Sequence, residues 1–277
     1  MFQKIGLALA FSPTCKAMLA EAYRFKKMFD ARLILIHIGV KTEENEQYLW
    51  QLVKEAGVNA DKTDVIWEQG KPAKKILSIC ERENIDLLLA GALKQENLYN
   101  YYVGSIARKI LRKAHCSVMM LVDPSEKLKP FKEIVIDAED NPFVHEALMA
   151  GMDIGRAEKS RQIHVLREIK LYGLAISVAV ESTELEKSEI RRTMVNAELE
   201  KVNKKLTDID VSGLKVNIKI IAGKSGFELL RFTKKVNADL MVVSDPGRSF
   251  DLFDRVFKHD LEFIFADLPC NLLIVKK

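Results

Sequence analysis

Closely spaced cysteines are missing from this sequence. Cys15, Cys80, Cys116 and Cys270 stand far apart in apolar or helical settings with no CxxC pair, which argues for reduced, buried thiols in a cytoplasmic protein. An excess of one charge sign is missing too: 43 basic side chains face 39 acidic ones, a net charge of +4, and the basic residues are scattered among acids. That excludes the electrostatic footprint of a nucleic-acid binder. No apolar run is long enough for a bilayer, because Leu171 to Val180 (LYGLAISVAV) is about half the roughly 20 residues a spanning helix needs. The opening MFQKIGLALAF passes from Lys4 directly into strand-like sequence without a small-residue cleavage site, so no secretory signal is expected. Hydrolase signatures are absent as well, with no GxSxG elbow and no HExxH helix. The histidines His37, His115, His145, His164 and His259 are dispersed, and neither a catalytic residue nor a protein-held metal is assigned.

What the sequence does contain is a duplication. WEQGKPAKKILSICERENIDLLLAG (Trp67 to Gly91) is answered by IIAGKSGFELLRFTKKVNADLMVVS (Ile220 to Ser244). KIGLALAFSP, starting at Lys4, is answered by KEIVIDAEDNP from Lys132, and HCSVMMLV from His115 by PCNLLIVKK from Pro269. Cys116 and Cys270 fall at equivalent positions, which predicts core roles for both. A repeat this long exceeds the roughly 20 to 50 residue period of solenoids, so each copy buries its own core. The stretch DPSEKLKP, Asp123 to Pro130, reads as the linker. The expected domains are 1–126 and 127–277, the second carrying an insertion at about 170–206.

Short Ile, Leu and Val runs alternate with amphipathic segments in each half, the pattern of parallel strands joined by helices. In the first half the strands are expected near Lys4 to Ala10, Arg32 to His37, Asp64 to Trp67, Ile85 to Ala90 and Ser117 to Val122. The helices are expected near Thr14 to Met28, Glu44 to Ala56, Pro72 to Arg82 and Gly104 to Ala114. Runs such as LILIHI are apolar on both faces and need helices on both sides. The fold class is therefore α/β: two tandem three-layer, doubly wound domains, each with a mainly parallel five-stranded sheet. In the insertion, Ile190, Met194, Val195, Leu199, Val202 and Leu206 fall at helical spacing. They describe either one long surface helix or a hydrophobic lid or partner surface.

Several of these features together resemble a known family: the first strand with its polar turn, the G-K-P-A turn into the third helix, the IDLLLAG strand, a glycine loop entering a helix with Gly-Ser, and the closing CSVMMLV. The chain resembles the universal stress protein family in its tandem two-domain form, with an adenine nucleotide alpha hydrolase-like fold. That family's nucleotide signature is G-x2-G-x9-G-[S/T]. Here Gly91 is followed by Lys94 in place of the second glycine, then nine residues, then Gly104 and Ser105. The resemblance makes Gly91, Lys94, Gly104 and Ser105 the candidate cofactor-binding residues, for ATP or AMP with nucleotide-associated Mg. Glycines let backbone amides approach a phosphate, and the following helix offers free N–H groups. Lys94 either fills the phosphate space or supplies a cation to it. ATP-binding members resemble VAVDGS at the first strand; the matching LALAFS has Ala10 where they have a carboxylate.

The second half keeps an acid, Glu139, at that position, but its loop reads Ser244, Asp245, Pro246, Gly247, with Lys258 and His259 near the place of Gly-Ser. With Phe253, Phe257 and Phe263 beyond, it reads as a filled apolar surface. Gly223-Lys224-Ser225 lacks the P-loop glycine five residues earlier, where Ile218 stands, and is read as a strand-to-helix turn capped by Ser225. Tyr99, Tyr101 and Tyr102 in the first glycine loop either stack on a base or pack the loop.

The resemblance implies a stress-response regulatory or binding module, with at most weak ATP hydrolysis, whose domains form an internal pseudo-dimer and whose whole chain could pair as a homodimer. It also implies that Ser117 to Val122 and Asn271 to Lys276 pair, which would cover apolar edge strands. The alternative is a nucleotide-independent interaction module that docks partners through the second-half insertion.

Overall fold

A computed structural model describes residues 1–59, 61–94, 101–170, 184–223, 226–246 and 264–276, and of residues 94, 170, 184–187 and 190 the backbone alone. The chain divides into two compact units, Met1–Pro130 with Cys270–Lys277, and Phe131–Pro269.

In the first unit the chain runs β1 (Lys4–Leu9), α1 (Cys15–Phe29), β2 (Arg32–Ile38), α2 (Glu43–Glu55), β3 (Thr63–Glu68), α3 (Pro72–Arg82) and β4 (Leu87–Gly91). A short ribbon, β5 (Leu93–Lys94) and β6 (Tyr101–Tyr102), then leads to α4 (Ser105–Lys113) and β7 (Ser117–Leu121). The sheet order is β3-β2-β1-β4-β7 with all neighbours parallel. Burial of Leu33, Leu35, Leu87, Leu88 and Leu89 to 0 % exposure accounts for the uninterrupted apolar runs, since helices cover both faces. The helices present their apolar stripes to it. In α3, Pro72 occupies the first turn, where its missing N–H costs nothing, and Ala73, Ile76, Ile79 and Cys80 point inward at helical spacing. α1 ends on Asp30 in the left-handed region (φ 46°), turning the chain sharply into β2.

The second unit repeats this plan with β8 (Glu133–Asp137), α5 (Val144–Glu158), β9 (Gln162–Lys170), α6 (Glu184–Leu206), β10 (Val216–Gly223), α7 (Phe227–Lys235) and β11 (Leu240–Ser244). Its parallel order is β10-β9-β8-β11. One device recurs in both units. The Asp86 carboxylate accepts the N–H groups of Gln3 and Lys4 at 3.0 and 2.9 Å, and Asp239 accepts those of Lys132 and Glu133 at 2.7 and 2.9 Å. Each aspartate thus fastens the start of a first strand to the start of its neighbour.

The expected boundary at 126/127 lies within the linker, and the units divide at the linker's end. Arg24 holds the Lys129 carbonyl at 2.8 Å from the first unit, whereas Phe131 is 2 % exposed and its N–H reaches Glu158 of the second, so the division falls after Pro130. The final strand, β12 (Asn271–Val275), is antiparallel to β7 with Leu273 opposite Met119, the pairing that the resemblance implies. Its Asn271 side chain accepts the Val122 N–H at 2.8 Å, and Lys276 donates to the carbonyls of Leu111 and Ala114.

Because two strand-start amides lose their acceptor together, Asp86→Ala and Asp239→Ala should each destabilise the protein by about 1–3 kcal/mol. Urea unfolding followed by far-UV circular dichroism checks this; unchanged midpoints would show that water replaces the carboxylate.

Candidate functional site

A cavity of about 320 Å³ opens at the carboxyl ends of the first unit's strands. Its position follows from topology: from β1 the chain works outward through β2 and β3, then crosses to β4 and β7 on the other side. Loops leaving β1 and β4 part in opposite directions, and the crevice between them is where open α/β sheets take ligands. Leu9 and Ala10 form one lip and Ala90 and Gly91 the other, with Ile76 of α3 and Ile110 of α4 as walls. The walls are apolar because they continue the face that the core needs. Among the described lining residues only Ser105 has a polar side chain.

The structure brings Gly91, Gly104 and Ser105 together at this cavity. Gly104 stands immediately before α4 in an extended conformation, and among the described residues no side chain caps the helix. The first-turn amides of Ser105, Ile106 and Ala107 have no acceptor within their own helix and lie at the cavity wall. A Cβ on Gly104 would come within 2.5 Å of the Leu93 Cδ1 atom, so glycine there lets the ribbon lie close over the helix start. Gly91 is less constrained, since a Cβ would meet only Met18 at ordinary contact, 3.5 Å. Lys94 pairs through its backbone with Tyr101 in the β5–β6 ribbon; its side chain lies outside the described residues.

The tyrosines of this loop separate in role. Tyr101 donates to the Asp123 carboxylate at 2.8 Å, and burial together with that partner pushes its hydroxyl up to about 12. It packs the ribbon down; Tyr99 is outside the described residues. His37 is held on the Leu9 carbonyl at 3.3 Å, with its ring 4.6 Å from those of both Phe11 and Trp67. Burial pulls its pKa down, so it is a neutral core imidazole.

The corresponding place in the second unit has opposite electrostatics. Matching the β1–β4 ladder, with Ile5 opposite Leu87, to the β8–β11 ladder, with Ile134 opposite Leu240, puts Asp137 where the first unit has Ala8 and Glu139 where it has Ala10. The β2 and β9 ladders likewise put Glu168 where Ile38 stands. Glu168 already accepts the amides of Gly226 and Leu229 at 2.8 and 2.7 Å, occupying the start of α7. Burial and the charges of Glu139 and Glu168 push Asp137 up to about 7. A phosphate brought here would meet carboxylates rather than free amides. Asn141 donates to Ser244 at 3.1 Å, so the serine replacing the first loop glycine is taken up internally. Gly247, Phe253, Phe257, Lys258, His259 and Phe263 lie outside the described residues, as do Lys224 and Ser225 of the GKS turn and residues 171–183 of the insertion.

From Glu184 onward the insertion is a helix fastened to its own unit. Val202 of α6 is fully buried, Glu198 pairs with Arg167 of β9 at 2.9 Å, and Lys205 reaches Asp140 at 2.5 Å. Among the described residues no three His, Cys, Asp or Glu side chains converge as metal ligands, and no helix is long and apolar enough to cross a membrane.

The sequence reading missed Asp137 and Glu168. Their signal was present, since both follow from setting the halves side by side along the first two strands rather than along the glycine loops alone.

A mostly parallel α/β unit with a cavity at its strand crossover defines a doubly wound class of fold, and comparison with known proteins makes that specific. Residues 1–121 match the universal stress protein family. A universal stress protein of Methanocaldococcus jannaschii is 24 % identical over 148 residues, 46 % of this chain and 86 % of that protein. Among solved structures, one called a putative universal stress protein, from Pseudomonas aeruginosa, covers 99 % of this chain and 93 % of its own at 14 % identity and a TM-score of 0.71. A universal stress protein from Archaeoglobus fulgidus covers 99 % and 98 % at 14 % identity and a TM-score of 0.66. Over residues 1–121 the chain thus matches the universal stress protein family, and the fold of solved proteins bearing that name extends along its length.

Because the folded state binds the Asp137 proton more tightly than the unfolded chain does, stability falls as pH rises from the ordinary carboxyl range through about 7 and levels off above it. Asp137→Asn should remove that loss. It should raise the melting temperature more at pH 8 than at pH 5, by the equivalent of about 2–3 kcal/mol. Thermal melts at the two pH values measure it; an equal effect at both would place the proton elsewhere.

Proposed function

We propose that the first unit binds an adenine nucleotide, AMP or ATP, and that the chain works as a stress-response binding or regulatory module rather than as a catalyst. The observation that carries this is the cavity at the β1–β4 crossover, whose apolar walls end at the uncapped start of α4. A planar base gains by leaving water for such walls, and a phosphate gains from the free amides and the positive end of the helix dipole. The volume, about 320 Å³, lies at the lower end of small-molecule pockets and suits a nucleoside with its first phosphate. Distal phosphates of ATP, with their Mg, would extend past Ser105 toward the ribbon that carries Lys94.

Ala10 leaves the cavity without the carboxylate seen in ATP-binding members of the family, so base recognition here rests on shape and stacking. Among the described lining residues no carboxylate, imidazole or thiol is placed to move a proton, which favours binding over turnover. The interaction-module reading draws on an insertion whose described portion is anchored to its own unit through Val202 and Glu198, and no described apolar face of it favours docking.

Titration calorimetry of AMP, ATP and adenosine separates these readings. Wild type should bind AMP at micromolar level. Ser105 is exposed, and a carboxylate there suits a helix start while repelling a phosphate, so Ser105→Glu should weaken AMP about tenfold and leave adenosine nearly unchanged. Gly104→Val, with circular dichroism as a check on folding, should abolish binding of both. No binding of any of the three to wild type would end the proposal, and undiminished AMP binding to both variants would remove it from this cavity.

A further inference from the structure

The first unit has a second cavity, of about 370 Å³, at the opposite ends of its strands. Phe2, just before β1, Asp86, just before β4, and Cys116, just before β7, line it together with Cys80 and His115. Cys80 sits in the last turn of α3 and is 5 % exposed; Cys116 is 3 % exposed, and neither is in a disulfide. The duplication assigns Cys116 a place in the core and says nothing of Cys80, yet the fold sets the two thiols within hydrogen-bonding reach of each other.

We propose that Cys80 and Cys116 form a redox site, a dithiol that a small hydroperoxide oxidises to a disulfide. The cavity supplies the path, and the burial of both sulfurs restricts the oxidant to a small one. A hydrogen bond from the Cys80 thiol and the positive charge of Lys276 hold Cys116 below its ordinary value, while the facing sulfur and burial push Cys80 up. Cys116 is thus the attacking thiolate and Cys80 the resolving thiol. Lys276 is brought there by β12, its ammonium fixed on the carbonyls of Leu111 and Ala114 at 2.6 and 3.1 Å.

The chemistry closes without a further reagent. The Cys116 thiolate, its proton given to solvent, attacks one oxygen of the hydroperoxide. An S–O bond forms, the O–O bond breaks, and the leaving oxygen takes a proton to become water or an alcohol. Cys80 then loses its proton and attacks the sulfenic sulfur; the S–S bond forms, the S–O bond breaks, and water leaves. Two thiols are oxidised by two electrons and one peroxide is reduced. The other cysteines are placed differently: burial pushes Cys15 up, and Cys270 donates to the Asn271 carbonyl at 3.4 Å.

The test treats the full chain with hydrogen peroxide, blocks remaining thiols, digests with trypsin without reduction, and reads the peptides by mass spectrometry. Two of the four thiols should be lost, with ILSICER (Ile76 to Arg82) joined to AHCSVMMLVDPSEK (Ala114 to Lys127) and released by dithiothreitol. Cys80→Ser should instead leave a Cys116 sulfenic acid that dimedone traps. Four thiols surviving at a peroxide concentration that oxidises Met residues on the same protein, or a disulfide involving Cys15 or Cys270, would overturn the proposal. The wild-type peptide map decides this whether or not the variant folds.

Discussion

Parallel pairing of β1 with β2 on one side and with β4 on the other is the constraint from which the first unit's chemistry follows. Parallel strands send all their carboxyl ends to one side, and the change of direction at β1 keeps the loops there from closing over one another. Asp86 takes up the two amides that begin β1 and so ties the start of β1 to the start of β4. Once that register is set, Ala10 and Gly91 face one crevice and the first turn of α4 has nowhere else to point.

The second unit shows that the scaffold and the site are separable. Asp239 repeats the role of Asp86, and the strands repeat their order, so the physics of the sheet is the same. Three side chains reverse the sign of the place where a ligand would sit. Asp137, Glu139 and Glu168 stand where the first unit has Ala8, Ala10 and Ile38, and Glu168 consumes the amides that a phosphate would need. Duplication has preserved what folding requires and released the rest.

That division also explains what could be read from sequence. Strand and helix positions were legible because LILIHI and PAKKILSIC declare their burial through composition and period, and the antiparallel partnership of Ser117 to Leu121 with Asn271 to Val275 followed from the family resemblance. Gly104 and Ser105, singled out through the family's glycine signature, stand at the start of α4 beside the crevice. The bond from the Val122 amide to the Asn271 side chain was not legible, since hydrogen bonding between distant segments has no period. The meeting of Cys80 with Cys116 was hidden for the same reason.

Both cavities of the first unit are walled by the same helix. α3 offers Pro72 and Ile76 to the crevice at the carboxyl ends of the strands, and Leu77, Cys80 and Glu81 to the cavity at their amino ends. It is three turns long, about 16 Å, and buries Ala73, Ile76, Ile79 and Cys80 on one face. A bond between Cys80 and Cys116 would tie the end of this helix to the turn between α4 and β7. α4 is the other wall of the crevice, so the bond would join the two walls to each other, leaving the sheet unaltered. The sulfur pair would therefore act on the spacing of two helices rather than on the residues lining the crevice.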